Sequence, residues 1–419
     1  MMISLLDGVL FSTYFILLFL SIFWLLVLFT ESDLKRSKKH NTPFFSVIVP
    51  AYNEEESIVA TLTSLVNLDY PADKIEIIVV NDGSKDKTKE YVTEFIRTHP
   101  ARKIILRNQD NAGKARAMNE GLKVAQGEFF ACLDADSFVH PAALQEMLPY
   151  FENRTVAAVC PLLKVKSPEN VLQKVQWCEY IINMFYKLLN ARLDCIHVTP
   201  GPFSIYRTEV IKNIGGYDEN TITEDLEIAI RLQKYHYKIV QTFDAIVETT
   251  APKTWKHLFT QRVRWYKGSV DNSLQYRKLM FNAKYGDFGF LRMPTILLSG
   301  VIAIILMATL MREAFMKLWE WFTALNAIHF DVLTLLANLE FRFNFLSLPF
   351  FKLFIATTLL GISFFVMIYS YKLVKEKITN YGRTWMSLTT YLLIYSFFLA
   401  IVWIYIAFLF VSRKKNSWS

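Results

Sequence analysis

Phe45-Ser46-Val47-Ile48-Val49-Pro50-Ala51-Tyr52-Asn53-Glu54-Glu55-Glu56 is a short, largely β-branched apolar run that stops at a proline and opens into an acid-bearing polar loop. A run this short, bounded by a turn signal, predicts a buried strand rather than a helix. The pattern recurs: strands are expected over 45–49, 75–80, 103–107 and 128–133, with helices beginning near Glu55, Lys87, Lys114 and Pro141. Such alternation between about 42 and 251 predicts an α/β domain on a mostly parallel, Rossmann-like sheet. In these sheets ligands bind beyond the carboxyl ends of the strands.

The candidate chemical groups stand at those ends. Asp134 and Asp136, one residue apart after an apolar strand, can approach one ion from a loop entering the crevice. A hard divalent cation suits such carboxylates and would neutralise a donor pyrophosphate. The same pair can equally cap the helix at Pro141 or serve a turn. Asp82, in Asn81-Asp82-Gly83-Ser84, can accept a hydrogen bond from a base edge or be a plain turn residue. Lys114 and Arg116 open a helix, where they can meet donor phosphate beside the amino-terminal amides or form a solvated face. Thr223-Glu224-Asp225 precedes an amphipathic helix and by itself reads as a cap with dipole-favoured carboxylates.

Gln261-Arg262-Val263-Arg264-Trp265 sets two guanidiniums, an amide and an indole close together. Arg can clamp pyrophosphate and Trp can stack on a sugar or base; an interfacial basic-aromatic belt is the alternative. Pro200-Gly201-Pro202-Phe203 follows a strand-like stretch, 196–199, and forms either a bare turn or the wall of an acceptor site. Cys132, Cys160, Cys178 and Cys195 form no CxxC pair, so reduced thiols are expected rather than disulfides or zinc.

Beyond this domain the composition changes. Of 419 residues 53% are hydrophobic and 34 are Phe, and the runs 8–30, 293–311, 353–371 and 384–412 carry no charge. Crossing a bilayer takes roughly 20 apolar residues, so each run is a predicted span. The first lacks a basic leading region and a cleavage site, so 1–30 reads as an anchor rather than a signal. Lys35, Arg36, Lys38 and Lys39 in the linker 31–41 place the following domain in the cytoplasm by the positive-inside bias, which predicts a multi-pass cell-membrane protein.

The orientation of 293–412 and the tail 413–419 stays open, because Lys372, Lys375, Lys377 and Arg383 compete with Arg413, Lys414 and Lys415 for the same side. Between 313 and 350, Leu318, Phe322, Leu325, Val332, Leu336 and Leu339 recur at near-helical spacing, while Glu320, Asp331 and Glu340 argue for a helix lying in the interface. The net charge of +8 gathers at membrane borders, which points to anionic lipid and an anionic donor and away from nucleic acid.

Val49-Pro50-Ala51-Tyr52-Asn53-Glu54, Asn81-Asp82-Gly83-Ser84, Gly113-Lys114, Asp134-Ala135-Asp136, Thr223-Glu224-Asp225 and Gln261-Arg262-Val263-Arg264-Trp265, in this order, resemble the processive family-2 glycosyltransferases. These include hyaluronan, chitin, cellulose and poly-N-acetylglucosamine synthases, and the resemblance covers about 44–268. It implies a GT-A fold over 42–255, interface helices over 256–292, and inverting transfer from a UDP-sugar to the end of a growing polysaccharide, coupled to translocation. Residue by residue, it implies that Asp82 and Asp134 hold the uridine part, with Ala51, Tyr52, Glu54, Lys114, Arg262 and Arg264 around the donor. Asp136, with Asp134, would hold Mg2+ or Mn2+; Asp225, beside Glu224, would be the general base; Gln261, Trp265, Gly201 and Pro202 would face the acceptor.

The Gly201-Pro202-Phe203 loop favours an N-acetylglucosamine-type donor within that family. Cellulose synthases carry more spans and a cyclic-dinucleotide-binding module, so cellulose is the less expected product. The partners implied are the UDP-sugar, a glycan or lipid-linked acceptor, membrane lipids, and a small membrane subunit or a second copy of the chain. Two other readings stand beside this one: a non-processive transferase adding a single sugar to a lipid carrier or glycolipid, and a catalytically silent nucleotide-sugar sensor. The arginine-tryptophan motif argues against the first, and the full set of acids and arginines against the second.

Overall fold

The computed structural model describes residues 5–30, 42–333, 350–382 and 385–412. In chain order the elements begin with α1 (Leu5–Val27), β1 (Phe45–Ala51), α2 (Ile58–Val66), β2 (Ile75–Asp82), α3 (Thr88–Thr98), β3 (Lys103–Gln109), α4 (Lys114–Val124), β4 (Phe129–Cys132), β5 (Ser137–Val139) and α5 (Ala143–Met147). They continue with β6 (Val156–Val165), α6 (Val171–Arg192), β7 (Ile205–Arg207), α7 (Thr208–Asn213), α8 (Glu224–Lys234), β8 (Lys238–Thr249) and α9 (Trp255–Gln275). Last come α10 (Met293–Ala327), α11 (Phe350–Leu373), α12 (Trp385–Thr390), a π-helical turn (Tyr391–Tyr395) and α13 (Ser396–Val411).

β1 is apolar on both faces because both are covered. Phe45, Val47, Val49 and Ala51 pack with Ile58 and Leu62 of α2 and with Val92 and Phe95 of α3. Ile48, on the other face, packs with Met118 and Leu122 of α4 and Ile228 and Leu232 of α8. Burying each such large side chain contributes roughly 1.5–3 kcal/mol, so a one-residue slip of register is excluded. Double burial is the condition of a parallel sheet, and β1 pairs in parallel with β2 and β4, and β2 with β3.

The sheet order is β3-β2-β1-β4-β7-β6-β8-β5. The chain leaves β1 for β2 on one side and later returns to β4 on the other, so a crevice opens at the carboxyl ends of β1 and β4. The expected strands all form, the first three running on to Ala51, Asp82 and Gln109. The sheet is mixed, because β7 lies antiparallel to both β4 and β6, and β5 antiparallel to β8.

Residues 196–199, read as strand-like, form no strand. The place beside β4 is taken by β7, and Thr199 instead donates from its backbone N and its Oγ1 to the Asp225 carbonyl at 3.2 and 2.9 Å. That bond ties the loop leading to Gly201 to the start of α8.

Among the described residues four helices, over 8–27, 288–327, 353–373 and 386–411, are long and apolar enough to cross a membrane. Two helices of the domain, α6 and α9, carry the contact with them. Trp177, Ile181 and Met184 of α6 pack on Met367 and Tyr371 of α11, while Phe185 and Leu189 meet Val27 of α1 and Val366. Val263 of α9 packs on Val402 and Ile406 of α13. α6 is started by a capping box in which Asn170 accepts from the Gln173 amide and the Gln173 side chain answers the Asn170 amide.

Of the stretch 313–350, read as an interfacial helix, residues 313–327 continue the helix that begins at Met293. α10 runs unbroken for 35 residues, from Met293 through Leu318, Phe322 and Leu325 to Ala327, because no glycine or proline interrupts it after Gly300. At 1.5 Å per residue it is about 52 Å long, well beyond a hydrocarbon core of ~30 Å. Its polar second half is the continuation of the span, with Lys317 and Glu320 paired at 2.8 Å on its exposed surface. Leu336, Leu339, Glu340, Arg383 and the basic residues of 31–41 and 413–419 lie outside the described residues.

Candidate active site

Lys114 is the hub of the crevice. As the first residue of α4 it projects toward the end of β4, and its Nζ lies 2.5 Å from Asp134 Oδ1 and 3.0 Å from Glu224 Oε1. Burial opposes its charge, but the carboxylates of Asp134, Glu224 and Asp225 outweigh it and hold the ammonium well above its ordinary pKa. The sheet and the start of α8, far apart in sequence, are thereby joined through one cation.

Glu224 and Asp225 occupy the first turn of α8, where the helix dipole favours negative charge. Their buried environments split them. Burial raises the Glu224 pKa, yet its direct contact with Lys114 brings the net shift below the usual carboxylate range. Asp225 has no such ion pair; burial and the neighbouring Glu224 charge push it up to about 6, against the pull of Lys114 and Arg264. A carboxylate titrating near neutrality in a crevice is a group able to take a proton and give it back.

Asp134, Asp136 and Glu54 face one another. Burial and then the Asp134 charge raise Asp136. Burial raises Glu54, with Asp136, Asp134 and Asp86 adding to it and a hydrogen bond from Ser57 (2.6 Å) opposing it. Mutually repelling oxygen ligands fit a hard divalent cation such as Mg2+ or Mn2+. Among the described residues no cluster of three or more His, Cys, Asp or Glu is arranged to enclose a metal.

Gly201 closes the other side. A Cβ there would stand 2.9 Å from Lys114 Nζ and 3.1 Å from Asp134 Oδ2, so a side chain at this position would push against the cation-acid pair. Pro202 follows it, buried. Tyr52, just past β1, is exposed at the rim, whereas Ala51 is buried at the strand end.

Asp82 is engaged within the protein. Its Oδ1 accepts from Gln109 Nε2 (2.6 Å) and Ala112 N (2.9 Å), and its Oδ2 from Gly113 N (2.9 Å). It thus shapes the loop that delivers Lys114.

The two arginines of α9 part company. Arg264 is exposed, and its charge is felt by Glu224 and Asp225. Arg262 is fully buried on the other side of the helix: its Nη2 lies 2.5 Å from Glu179 Oε2 of α6, and its Nε donates to Tyr395 Oη at 3.2 Å. Tyr395 also donates to Glu179, at 2.8 Å. Residues two apart on a helix point about 200° apart, so both guanidiniums cannot face one crevice. The expected donor contact of Arg262 is therefore not made by this geometry, while Gln261, Arg264 and Trp265, three and four apart, can share a face. The Gln261 side chain accepts from Arg262 Nη1, and the Arg262 guanidinium lies 4.2 Å from the Trp265 ring centre.

α9 reaches the acids through Gly268, where a Cβ would come within 2.3 Å of Thr223 Oγ1. Asn272, one turn on, donates to the same oxygen at 3.0 Å. Gly268 and Glu179 were not singled out in the sequence. Glu179 had a visible signal, as the lone acid within an otherwise largely apolar helix. A cavity of about 250 Å3 beside Phe129, Phe151 and Arg207 lies at the amino end of β4, away from this chemistry.

The arrangement has relatives. Residues 46–215 match the family model described as "Glycosyl transferase family 2". The poly-beta-1,6-N-acetyl-D-glucosamine synthase of Staphylococcus epidermidis is 32% identical over 264 residues, which is 60% of this chain and 63% of that protein. The beta-monoglucosyldiacylglycerol synthase of Trichormus variabilis is 30% identical over 254 residues, 60% of this chain and 54% of that protein. The chain thus aligns with less than two thirds of the length of these relatives. Among solved structures, the mannosyltransferase PcManGT from Pyrobaculum calidifontis, in complex with GDP-Man and Mn2+, superposes with a TM-score of 0.61 at 20% identity over 98% of both chains. That likeness is one of fold. The chain thus carries, over residues 46–215, a domain that matches glycosyl transferase family 2.

Proposed function

We propose that the chain is a membrane-embedded inverting glycosyltransferase that moves a sugar, of N-acetylglucosamine type, from a UDP-sugar to the end of a growing glycan. The observation that carries this reading is the Lys114 hub, which sets a donor-side acid, Asp134, and the Glu224-Asp225 pair around one cation.

Asp225 accepts the proton of an acceptor hydroxyl as that oxygen bonds to the anomeric carbon, and the bond from that carbon to the diphosphate oxygen breaks on the opposite face. The electron pair of the broken bond leaves with the nucleoside diphosphate, where Lys114 and Arg264 supply positive charge. Asp134 and Asp136 are the residues that would hold Mg2+ or Mn2+, which when bound neutralises charge on the diphosphate. Gly201 and Trp265 bound the acceptor side.

The helices long and apolar enough to cross a membrane support a membrane setting for this chemistry. The domain faces the cytoplasm, where nucleotide sugars are available, and the product leaves past α6 and α9. Support for a polymer comes from the 32%-identical poly-N-acetylglucosamine synthase. A second reading, one sugar added to a lipid, is favoured by the 30%-identical glucosyldiacylglycerol synthase.

Purified full chain supplied with single UDP-sugars, magnesium or manganese, and either oligosaccharide or diacylglycerol acceptors separates these by product mass. A ladder of products supports polymerisation; one added sugar on lipid supports the second reading. Absence of transfer from every UDP-sugar would sink both.

A further inference from the structure

The segment 194–199, between α6 and β7, is a strap bonded to both ends of α8. Gln233, near the carboxyl end of that helix, donates through its Nε2 to the carbonyl oxygens of Asp194 at 2.9 Å and Ile196 at 3.2 Å. At the other end Thr199 reaches the Asp225 carbonyl, and its Oγ1 accepts from Tyr206 Oη at 2.9 Å. Two residues past Thr199 stands Gly201, against Lys114 and Asp134. Whatever fixes the strap therefore fixes both the backbone at Asp225 and the wall of the crevice that faces it.

Besides the contacts made by α6 and α9, the head of α10 reaches the domain at this strap. Met293 and Ile296, in the first turn of α10, are buried in one cluster with Cys195 of the strap and Leu226 and Ile230 of α8. Arg292, the residue before that turn, meets His197 in the middle of the strap: its Nε is 3.0 Å from Nδ1, and its Nη2 is 2.6 Å from Nε2. Burial, then the charges of Arg292 and of Lys187, itself buried on α6 without a hydrogen-bond partner, hold the imidazole well below its ordinary pKa. It is therefore neutral, with one acceptor nitrogen for the guanidinium.

A hydrogen bond from a charged donor is roughly twice as strong as a neutral one. The Arg292 guanidinium is engaged with the strap rather than with the acids of the crevice, so it acts on them only through His197 and Thr199. The helix it opens is one of those long and apolar enough to cross a membrane. The place of the base is thereby tied to a membrane helix by a polar clasp and an apolar seat.

We propose that Arg292 is a positioning residue: through His197 it holds the strap 194–199, and with it the Asp225 backbone and the Gly201 wall, in the arrangement that transfer requires. The proposal rests on the reading of Asp225 as the base; the clasp itself does not.

The test uses the full chain in detergent with Arg292→Met, His197→Leu and His197→Gln, of which only the last keeps both the guanidinium and an acceptor oxygen for it. Hydrogen exchange of the amides within 195–203 reads the strap without any turnover. Arg292→Met and His197→Leu are expected to speed that exchange about tenfold or more, the loss of one charge-assisted hydrogen bond. β1 to β3 should exchange as in the native chain, and His197→Gln should stay close to native throughout. In transfer assays the two disrupting variants should lower kcat about tenfold or more, because a misplacement of about 1 Å near the reacting groups can cost ~100-fold, while KM for the UDP-sugar and UDP binding are kept. A merely structural role would move UDP binding and the exchange of β1 to β3 together with the strap, or leave His197→Gln as impaired as His197→Leu. Either result overturns the proposal, as does native exchange of 195–203 or native kcat in Arg292→Met. A native chain that transfers no sugar defeats the transfer reading, and the exchange then still decides whether Arg292 holds the strap.

Discussion

Asp225 answers to four neighbouring charges, and their balance sets its working range. Glu224 and Asp134 raise its pKa, Lys114 and Arg264 lower it, and with burial the result is about 6. Its base form is therefore lost as pH falls through 6, so kcat/KM should drop about tenfold per unit below that limb. Lys114→Met removes a charge that lowers Asp225, so the limb should move to higher pH as well as the rate falling. A rate loss with an unmoved limb would show that Lys114 does not act on the base. Because the Glu224 charge acts on Asp225, the measured limb belongs to the pair.

Activity should also collapse when a chelator removes magnesium and manganese and return on adding either ion back. Full turnover in chelator would exclude the role given to Asp134 and Asp136. At this scale the sequence was most legible where acids followed strands, because a parallel sheet forces strand ends into one crevice. It was least legible for Arg262 and Lys187, because a linear motif does not say which face of a helix a residue occupies.

α9 is the element on which the site turns, since Arg264 stands on its exposed face while Arg262 locks the buried one, with Trp265 against the Arg262 guanidinium. Gly268→Ala places a methyl group where Thr223 Oγ1 now lies. The start of α8 must then shift, and a displacement of about 1 Å near the reacting groups can cost ~100-fold in rate. The expected outcome is such a fall in kcat with the secondary structure kept; near-native kcat would show that the close approach is dispensable. Glu179→Ala leaves the Arg262 guanidinium buried without its carboxylate, a change expected to destabilise the fold by about 3–5 kcal/mol, read by thermal or denaturant unfolding. A negligible loss would mean that the Glu179–Arg262 pair does not hold α6 to α9.

Periodicity found the helices but not their partners. The 293–327 helix shows the limit: charge composition suggested a break near residue 311, yet charged residues are good helix formers and nothing there stops the backbone. The strand-like reading of 196–199 failed for a related reason, since β propensity cannot foresee that another segment, β7, takes the place beside β4.

As a whole the molecule is a family-2 domain seated on apolar helices through α6 and α9, and the same two helices bear Glu179, Lys187, Arg262 and Arg264. Membrane contact and site geometry are thus built from one pair of elements. The composition made the apolar helices legible, and the ordered motifs made the domain legible; the lock between them depends on contacts across more than 200 positions, such as Glu179 with Tyr395, that no local pattern encodes. The central claim is that this assembly transfers sugar with Asp225 as its base. The most direct measurement compares the purified full chain with Asp225→Asn for UDP binding and for sugar transfer from a UDP-sugar. The account predicts that the variant binds UDP as the native chain does and transfers at least ~100-fold more slowly; native-like transfer by Asp225→Asn would contradict it.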